Sequence, residues 1–504
     1  MEHYLKAFVY SPTEPFLFTQ PAFWIFFFVV FSIFSLLYRN IQVRNSFLFI
    51  ASLFFYYKTG GLFVLLLIIS ILINYTIGIK LFRSKTLIRR RTWLTSGIVI
   101  NLFILLYYKY IYFFTGIMNT LFHSNIEIKD YFAVLGNSVM NTHLEVATIV
   151  LPVGISFFTF QALSYVIDIY RSQVKPVKSI VDFGFYISFF PQLVAGPIIR
   201  ASEFIPQISR KFSLTKNEFG HAVFLILNGL IKKMIISDFI SLNFVDRVFD
   251  APQLYSSIEN IMAVYGYAFQ IYCDFSGYTD IAIGLAMLLG FRIPINFNSP
   301  YKAISLVDFW RRWHISLSTW LRDYLYISLG GNRKGKMITQ LNVLITMLIG
   351  GLWHGANIKF IVWGMLHGAG LVINKVIASL FSKQLRIPIW QQLCGGFLTF
   401  HFVCFAWIFF RAENMEVALS IIRNIASGID FAIAKQFFSE FAGILAILGL
   451  AMTIHWLPAR WKEWYRGQFI KLPVSAKFIV IVVVALLIYQ FKTSDIQPFI
   501  YFQF

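Results

Sequence analysis

Residues 62–82 read LFVLLLIISILINYTIGIKLF, twenty-one positions with one lysine near the end and no carboxylate. The hydrocarbon core of a bilayer is about 30 Å thick and takes roughly 20 mainly apolar residues to cross as a helix. This stretch is therefore predicted to span a membrane, and the chain repeats the pattern in both directions. Apolar runs also centre on Phe23–Tyr38, Phe47–Tyr57, Trp93–Gly116, Ala147–Tyr170, Phe183–Ile199, Ala222–Ile240 and Ile258–Tyr272. Others follow at Thr279–Phe291, Leu341–Leu352, Phe360–Leu380, Phe397–Phe410, Phe441–Trp456 and Phe478–Tyr489. Several are too short to cross alone. The prediction is an all-α polytopic membrane protein with ten to twelve transmembrane helices, the short runs forming re-entrant half-helices that enter and leave on one side.

Composition supports that class. Of 504 residues, 58% are hydrophobic and only 13% charged, with 57 Phe and a mean hydropathy of +0.69. A soluble domain is about a quarter charged, so there is too little polar surface here to cover a water-soluble globule. The net charge of +20 does not point to nucleic acid, because polytopic proteins keep Lys and Arg in short cytoplasmic loops. Arg39 and Arg44, then Arg83, Lys85, Arg89, Arg90 and Arg91, then Arg171, Lys175 and Lys178 fall on alternate loops. The loop Asn119–Glu145 instead carries His123, Glu127, Asp130, His143 and Glu145 with a single Lys. The basic loops are thus predicted to be cytoplasmic and the N-terminus to lie outside. Glu2–Gln20 is mixed and polar, and no cleavable signal peptide is expected. Cys273, Cys394 and Cys404 form no CxxC pair and imply no disulfide framework and no zinc–thiolate site. No soluble domain interrupts residues 1–504, which read as one membrane-embedded unit: N-terminal helices 1–145, a core 146–380 holding the polar motifs, and C-terminal helices 381–504.

Polar residues concentrate between Gln192 and Gly368. Membrane-embedded polar groups are costly without partners and mark functional positions. QLVAGP at 192–197 interrupts one run, and YCDFSGYTD at 272–280 places Asp274 and Asp280 between two others. Such breaks are tolerated where backbone lines a cavity. DFWRRWHISLSTWLRDY at 308–324 has helical spacing, with Trp310, Trp313, His314, Leu317, Leu321 and Tyr324 on one face and Arg311, Arg312, Thr319, Arg322 and Asp323 opposite. It reads as a single amphipathic helix. His314 is either packed among the tryptophans or part of a site; the arginines either anchor to lipid phosphates or hold a phosphorylated donor. GGLWHGA at 350–356 surrounds Trp353 and His354 with glycines that loosen the helix and admit a substrate chain. Histidine is the side chain suited to proton transfer near neutrality, so His354 is a candidate general base. On one continuous helix His367 would face away from it. There is no HExxH, P-loop, GxGxxG, GxSxG or EF-hand pattern, and no metal site or bound cofactor is expected.

LPVGISFFTFQ at 151–161, Pro191–Arg200, Asp274–Asp280, Asp308–Gly331, WHG at 353–355 and PFIYFQF at 498–504 resemble the membrane-bound O-acyltransferase family. The likeness is greatest to its bacterial branch, which serves alginate O-acetylation and teichoic-acid D-alanylation. It implies a ring of helices around a central funnel. It also implies a catalytic His354, a second catalytic position at His314, and transfer of an acyl group, acetyl above all, from a cytosolic thioester such as acetyl-CoA to a hydroxyl. Arg311, Arg312, Arg322 and Trp353 would meet the donor, with Asp274 and Asp280 pairing some of these cations. The branch further implies a bacterial inner-membrane relay for an exported or envelope polysaccharide, completed by a secreted or membrane-anchored SGNH-type acetyltransferase. D-alanyl transfer from a carrier protein is the alternative within the branch. A transporter is the alternative outside it, disfavoured because no inverted repeat is present.

Overall fold

The computed structural model describes residues 9–11, 16–140, 145–380, 388–491 and 497–500. Glu2–Phe8, His143 of the predicted outer loop and Tyr501–Phe504 of the C-terminal motif lie outside them. Helices are the regular secondary structure of the described residues, which contain no strand. Among the described residues, six stretches are long and apolar enough to cross a membrane: Ile41–Arg83, Leu87–Phe122, Lys336–His354, Ile358–Ala378, Ile389–Arg411 and Val474–Phe491. A seventh results if Ala432–Glu440 and Ala442–Trp456, bent by 79°, count as one broken span.

The all-α polytopic class is as predicted, and the number of full-length spans is lower than ten to twelve. Part of the difference lies at the N-terminal end, where Pro21–Leu37 has 17 residues and Ile41–Arg83 joins two runs as the helices Ile41–Gly60 and Val64–Arg83, and the rest lies in the central runs. Ala147–Tyr170 yields a helix of 16 residues, Ile155–Tyr170. Phe183–Ile199 yields only Ile180–Ser188, after which QLVAGP runs as buried non-helical turns, as expected. There Gln161 Nε2 donates to Gln192 Oε1 at 2.8 Å, supplying one buried partner. Ala222–Ile240 is helical to Leu230 and then irregular to Asp250 through two π-helical turns.

The stretch around Asp274 and Asp280 corrects the reading of a break. Ser257–Leu288 is one helix of 32 residues, about 48 Å long. A side-chain carboxylate does not break a helix when a neighbour neutralises it, and the partner helix Lys216–Leu230 with its continuation supplies the cations. The two approach closely at glycines: a Cβ on Gly229 would lie 2.5 Å from Gly277 O, and one on Gly277 2.8 Å from Gly229 O. Small residues of this kind let helices pack backbone to backbone.

The interior divides into two apolar clusters. One holds Leu317, Trp320 and Trp353; the other holds Trp313, Phe360, Trp363 and Trp407. His314 and His354 therefore sit where the two clusters meet.

Candidate functional site

The string Asp308–Tyr324 is not one amphipathic helix. Leu306–Arg312 ends, His314 adopts a left-handed conformation (φ 42°, ψ 56°), and Ile315–Trp320 begins after it. A non-glycine residue in that region is strained and persists only where its surroundings hold it. The segment 296–298 does so: Ile315 N donates to Asn296 O at 3.0 Å and Asn298 N to Arg312 O at 2.9 Å. Periodicity placed His314 on a helix face; the kink places it at a corner, fully buried, its ring edge-on to Phe275 at 4.7 Å and 6.2 Å from Trp353.

The kink also sets the histidine's tautomer. Asn296 Oδ1 accepts from the backbone N–H of Ser316 at 3.1 Å and from its hydroxyl at 2.9 Å. A backbone N–H only donates, so the atom facing it is the amide oxygen. His314 Nδ1, 3.2 Å from that oxygen, must then carry the proton, and Nε2 carries the lone pair.

His354 is the last residue of Lys336–His354, which Gly355 ends in an extended conformation. Gly351 has a packing role. A Cβ on Gly351 would collide with Phe360 O, and one on Gly364 would lie 2.5 Å from Met347 O. The small residues thus let Lys336–His354 pack backbone-close against the following helix, Ile358–Leu380. Gly351→Ala is expected to cost about 1–3 kcal/mol through overpacking, read as a lower unfolding temperature in detergent. Gly443→Ala, with nothing within 4 Å, is expected to leave that temperature unchanged or raise it slightly.

The C-terminal carbonyls of Lys336–His354 would be orphaned in the interior. Lys109 Nζ caps two of them, Trp353 O at 2.7 Å and His354 O at 3.1 Å, while the Tyr110 hydroxyl donates to Leu352 O at 2.9 Å. A cation at this end also suits the helix dipole. His354 is 4% exposed and packs against Trp353, Trp363 and Phe410 at 5.0–5.1 Å. With Lys109, Trp353, Phe157 and the turn 151–156 it lines a cavity of about 70 Å³. Trp353 packs on against the ring of His314 at 6.2 Å, and Trp363 against that of His367 at 4.7 Å. The helix break at Gly355 turns His367 inward, where Trp310 Nε1 donates to its Nδ1 at 3.3 Å.

The predicted donor-binding residues divide. Arg311 is exposed, and Arg312 is held by Asp308 at 2.9 Å. Arg322, 59% exposed, pairs with Asp323 at 2.6 Å, which also takes Arg200 at 2.8 Å. Although burial alone would raise the Asp323 carboxyl, hydrogen bonds from Arg322 and Arg200 hold it below its usual range. Arg171 and Arg200 lie over Tyr324 at 5.5 and 5.4 Å. A cationic cluster exists, built from Arg171, Arg200 and Arg322. Asp274 and Asp280 do not pair with Arg311, Arg312 or Arg322. Asp274 meets Lys233 at 2.5 Å and Asp280 meets Lys232 at 2.7 Å, on the helix packed beside them.

Sequence reasoning missed Asn296, Lys109 and Lys233. Lys109, near the end of the run Trp93–Gly116, had a visible signal, a lone cation between aromatics in an apolar run. Asn296 had none, since its role exists only through the turn at His314.

Comparison with known proteins bears on the chemistry. The family model described as MBOAT, membrane-bound O-acyltransferase family, matches residues 104–415, which include Lys109, His314 and His354. The chain is 35% identical over 432 residues to the peptidoglycan O-acetyltransferase of Helicobacter pylori, covering 80% of this chain and 78% of that protein. It is 34% identical over 490 residues to the probable alginate O-acetylase AlgI of Pseudomonas putida, covering 92% and 95%. It is 27% identical over 273 residues to the teichoic acid D-alanyltransferase of Bacillus subtilis, covering 52% and 68%.

Proposed function

Since the chain belongs to the membrane-bound O-acyltransferase family, a multi-pass membrane enzyme moving acyl groups onto hydroxyls, we propose that His354 is its general base and that acetyl is its cargo. The observation that carries this is the placement of His354: buried, at a capped helix end, lining a cavity, with Trp353 packed against both it and His314. The hydroxyl oxygen attacks the thioester carbonyl while His354 takes its proton. The new C–O bond forms, the C–S bond breaks, and the thiolate leaves with the proton His354 returns.

His314 orients the acceptor through a neighbouring hydroxyl, since the single proton of the reacting one goes to His354. Its Nε2 lone pair suits accepting from an O–H better than donating to an oxyanion, because Asn296 keeps the proton on Nδ1. Asn296→Ala removes that constraint and is expected to lower transfer by about 5- to 150-fold, the equivalent of about 1–3 kcal/mol. Asn296→Asp keeps the acceptor oxygen and is expected to retain more activity. Rates per mole of protein in proteoliposomes check the order.

The donor is a cytosolic thioester, acetyl-CoA, whose phosphates meet Arg171, Arg200 and Arg322. The enzyme sits in a bacterial inner membrane and passes acetyl outward to an SGNH-type partner that finishes O-acetylation of an exported or envelope polysaccharide. Support for this comes from relatives named for alginate and peptidoglycan acetylation. The relative named for teichoic-acid D-alanylation supports a second cargo, D-alanine. Thiol release by the protein in proteoliposomes separates the two. Release from acetyl-CoA, and none from a D-alanyl carrier, is expected; the reverse overturns acetyl as the cargo.

A further inference from the structure

The proposed acyl transfer leaves one developing charge without a partner. As the hydroxyl oxygen attacks, the carbonyl electron pair moves onto the thioester oxygen, and that oxyanion needs a hydrogen-bond donor. His314 does not supply one, because Asn296 keeps its proton on Nδ1. His354 is occupied with the proton of the attacking hydroxyl. Among the described residues, the cavity that His354 lines contains one cation, Lys109, and no carboxylate.

Lys109 has a donor to spare. An ammonium carries three N–H groups. Two go to Trp353 O at 2.7 Å and His354 O at 3.1 Å, and among the described residues Nζ makes no other hydrogen bond and no ion pair. Lys109 is half-buried and lines the cavity. At ~30 Å³ per water, that cavity of about 70 Å³ takes about two waters. In so small a space, a carbonyl group beside the imidazole is also beside the ammonium.

Capping alone does not account for a charge here. Tyr110 shows that a neutral donor suffices, its hydroxyl bonding Leu352 O at 2.9 Å. An ionisable group within a membrane-spanning segment is costly and marks function, and Lys109 lies within Leu87–Phe122. The backbone is also bent to the purpose. Leu106–Tyr110 forms a single π-helical turn, a rare distortion frequent at functional sites, and it carries both Lys109 and Tyr110 to one helix end.

We propose that Lys109 is a further catalytic residue, whose third N–H bonds the thioester carbonyl oxygen as its charge develops. The assignment rests on the proposed acyl transfer and supplies the group that this step lacks. The C–O bond forms, the carbonyl pair moves to oxygen, and Lys109 holds it there without giving up a proton. The pair then returns to restore C=O, the C–S bond breaks, and sulfur takes the proton from His354.

The test compares turnover of acetyl-CoA with that of its dithioester analogue, in which sulfur replaces the carbonyl oxygen, by the full-length protein in proteoliposomes. Sulfur is a weak acceptor, so the oxygen-to-sulfur rate ratio reports a hydrogen bond at that atom. Lys109→Gln keeps N–H groups for the helix end and loses the charge. It is expected to turn over acetyl-CoA about 10²–10³-fold more slowly, the effect of losing one oxyanion donor, with a ratio at least about tenfold below that of wild type. His354→Gln is expected to slow both donors and keep the wild-type ratio, so loss of the base and loss of the oxyanion donor read differently. A Lys109→Gln protein slowed equally on both donors has lost only packing and overturns the inference, as does one within about threefold of wild type on acetyl-CoA. Wild-type protein that turns over the dithioester as fast as acetyl-CoA overturns it without any variant. Wild-type protein inert toward acetyl-CoA overturns the acetyl reading, and this inference with it.

Discussion

His354→Ala is expected to lower the rate of acyl transfer by about 10²–10⁴-fold, the range a positioned general base supplies. The effect should fall on the chemical step, because the cap on the helix end survives. Lys109 and Tyr110 bond main-chain carbonyls of residues 352–354, not the imidazole. Losing the ring does remove contacts with Trp363 and Phe410 at 5.1 Å, so His354→Gln serves as the variant that keeps bulk without the base. Both variants should bind donor normally while releasing thiol at the reduced rate in proteoliposomes. A His354→Gln protein that turns over within threefold of wild type contradicts the assignment.

Lys233→Met carries the largest expected effect on stability. The ammonium is buried and joins Asp274, itself 1% exposed, to Asp238 and to Pro498 O at 3.2 Å. Asp274 in turn accepts from Ile500 N at 2.9 Å, so the pair pins the C-terminal segment into the core. Removing the lysine strands two carboxylates. Breaking a buried pair from one side costs about 3–5 kcal/mol, whereas replacing both partners by apolar groups is often neutral. Lys233→Met should therefore lower the unfolding temperature sharply or abolish recovery of folded protein. Lys233→Met combined with Asp274→Leu should restore much of the loss, and a double variant less stable than Lys233→Met contradicts this account of the pair.

The sequence carried the class of the fold and its two central histidines, and lost what depends on distant neighbours. Run length and composition suffice to identify a polytopic helical protein, because hydrocarbon thickness sets the length of a span directly. Periodicity failed at residues 308–324, since 3.6-residue spacing assumes uniform dihedrals and His314 sits at φ 42°. The cause, Asn296, lies eighteen residues upstream. Polarity misled at residues 272–280. Carboxylates in an apolar setting looked like a break, whereas Lys232 and Lys233, over forty residues earlier, let the helix run on. The glycines around His354 were visible, but their role was not, because both a substrate chain and a packed helix need the same small side chains. His367 was set aside on the assumption of one helix, which Gly355 interrupts.

We propose that this chain, through His354, sends acetyl to a polysaccharide outside the cell. Base-labile acetate on the cell-surface polysaccharide tests it most directly, measured in wild type, a His354→Ala strain and a deletion, with the membrane protein quantified in each. Acetate lost in both mutant strains while His354→Ala protein persists at normal abundance is the predicted result. Acetate unchanged in the deletion would contradict it.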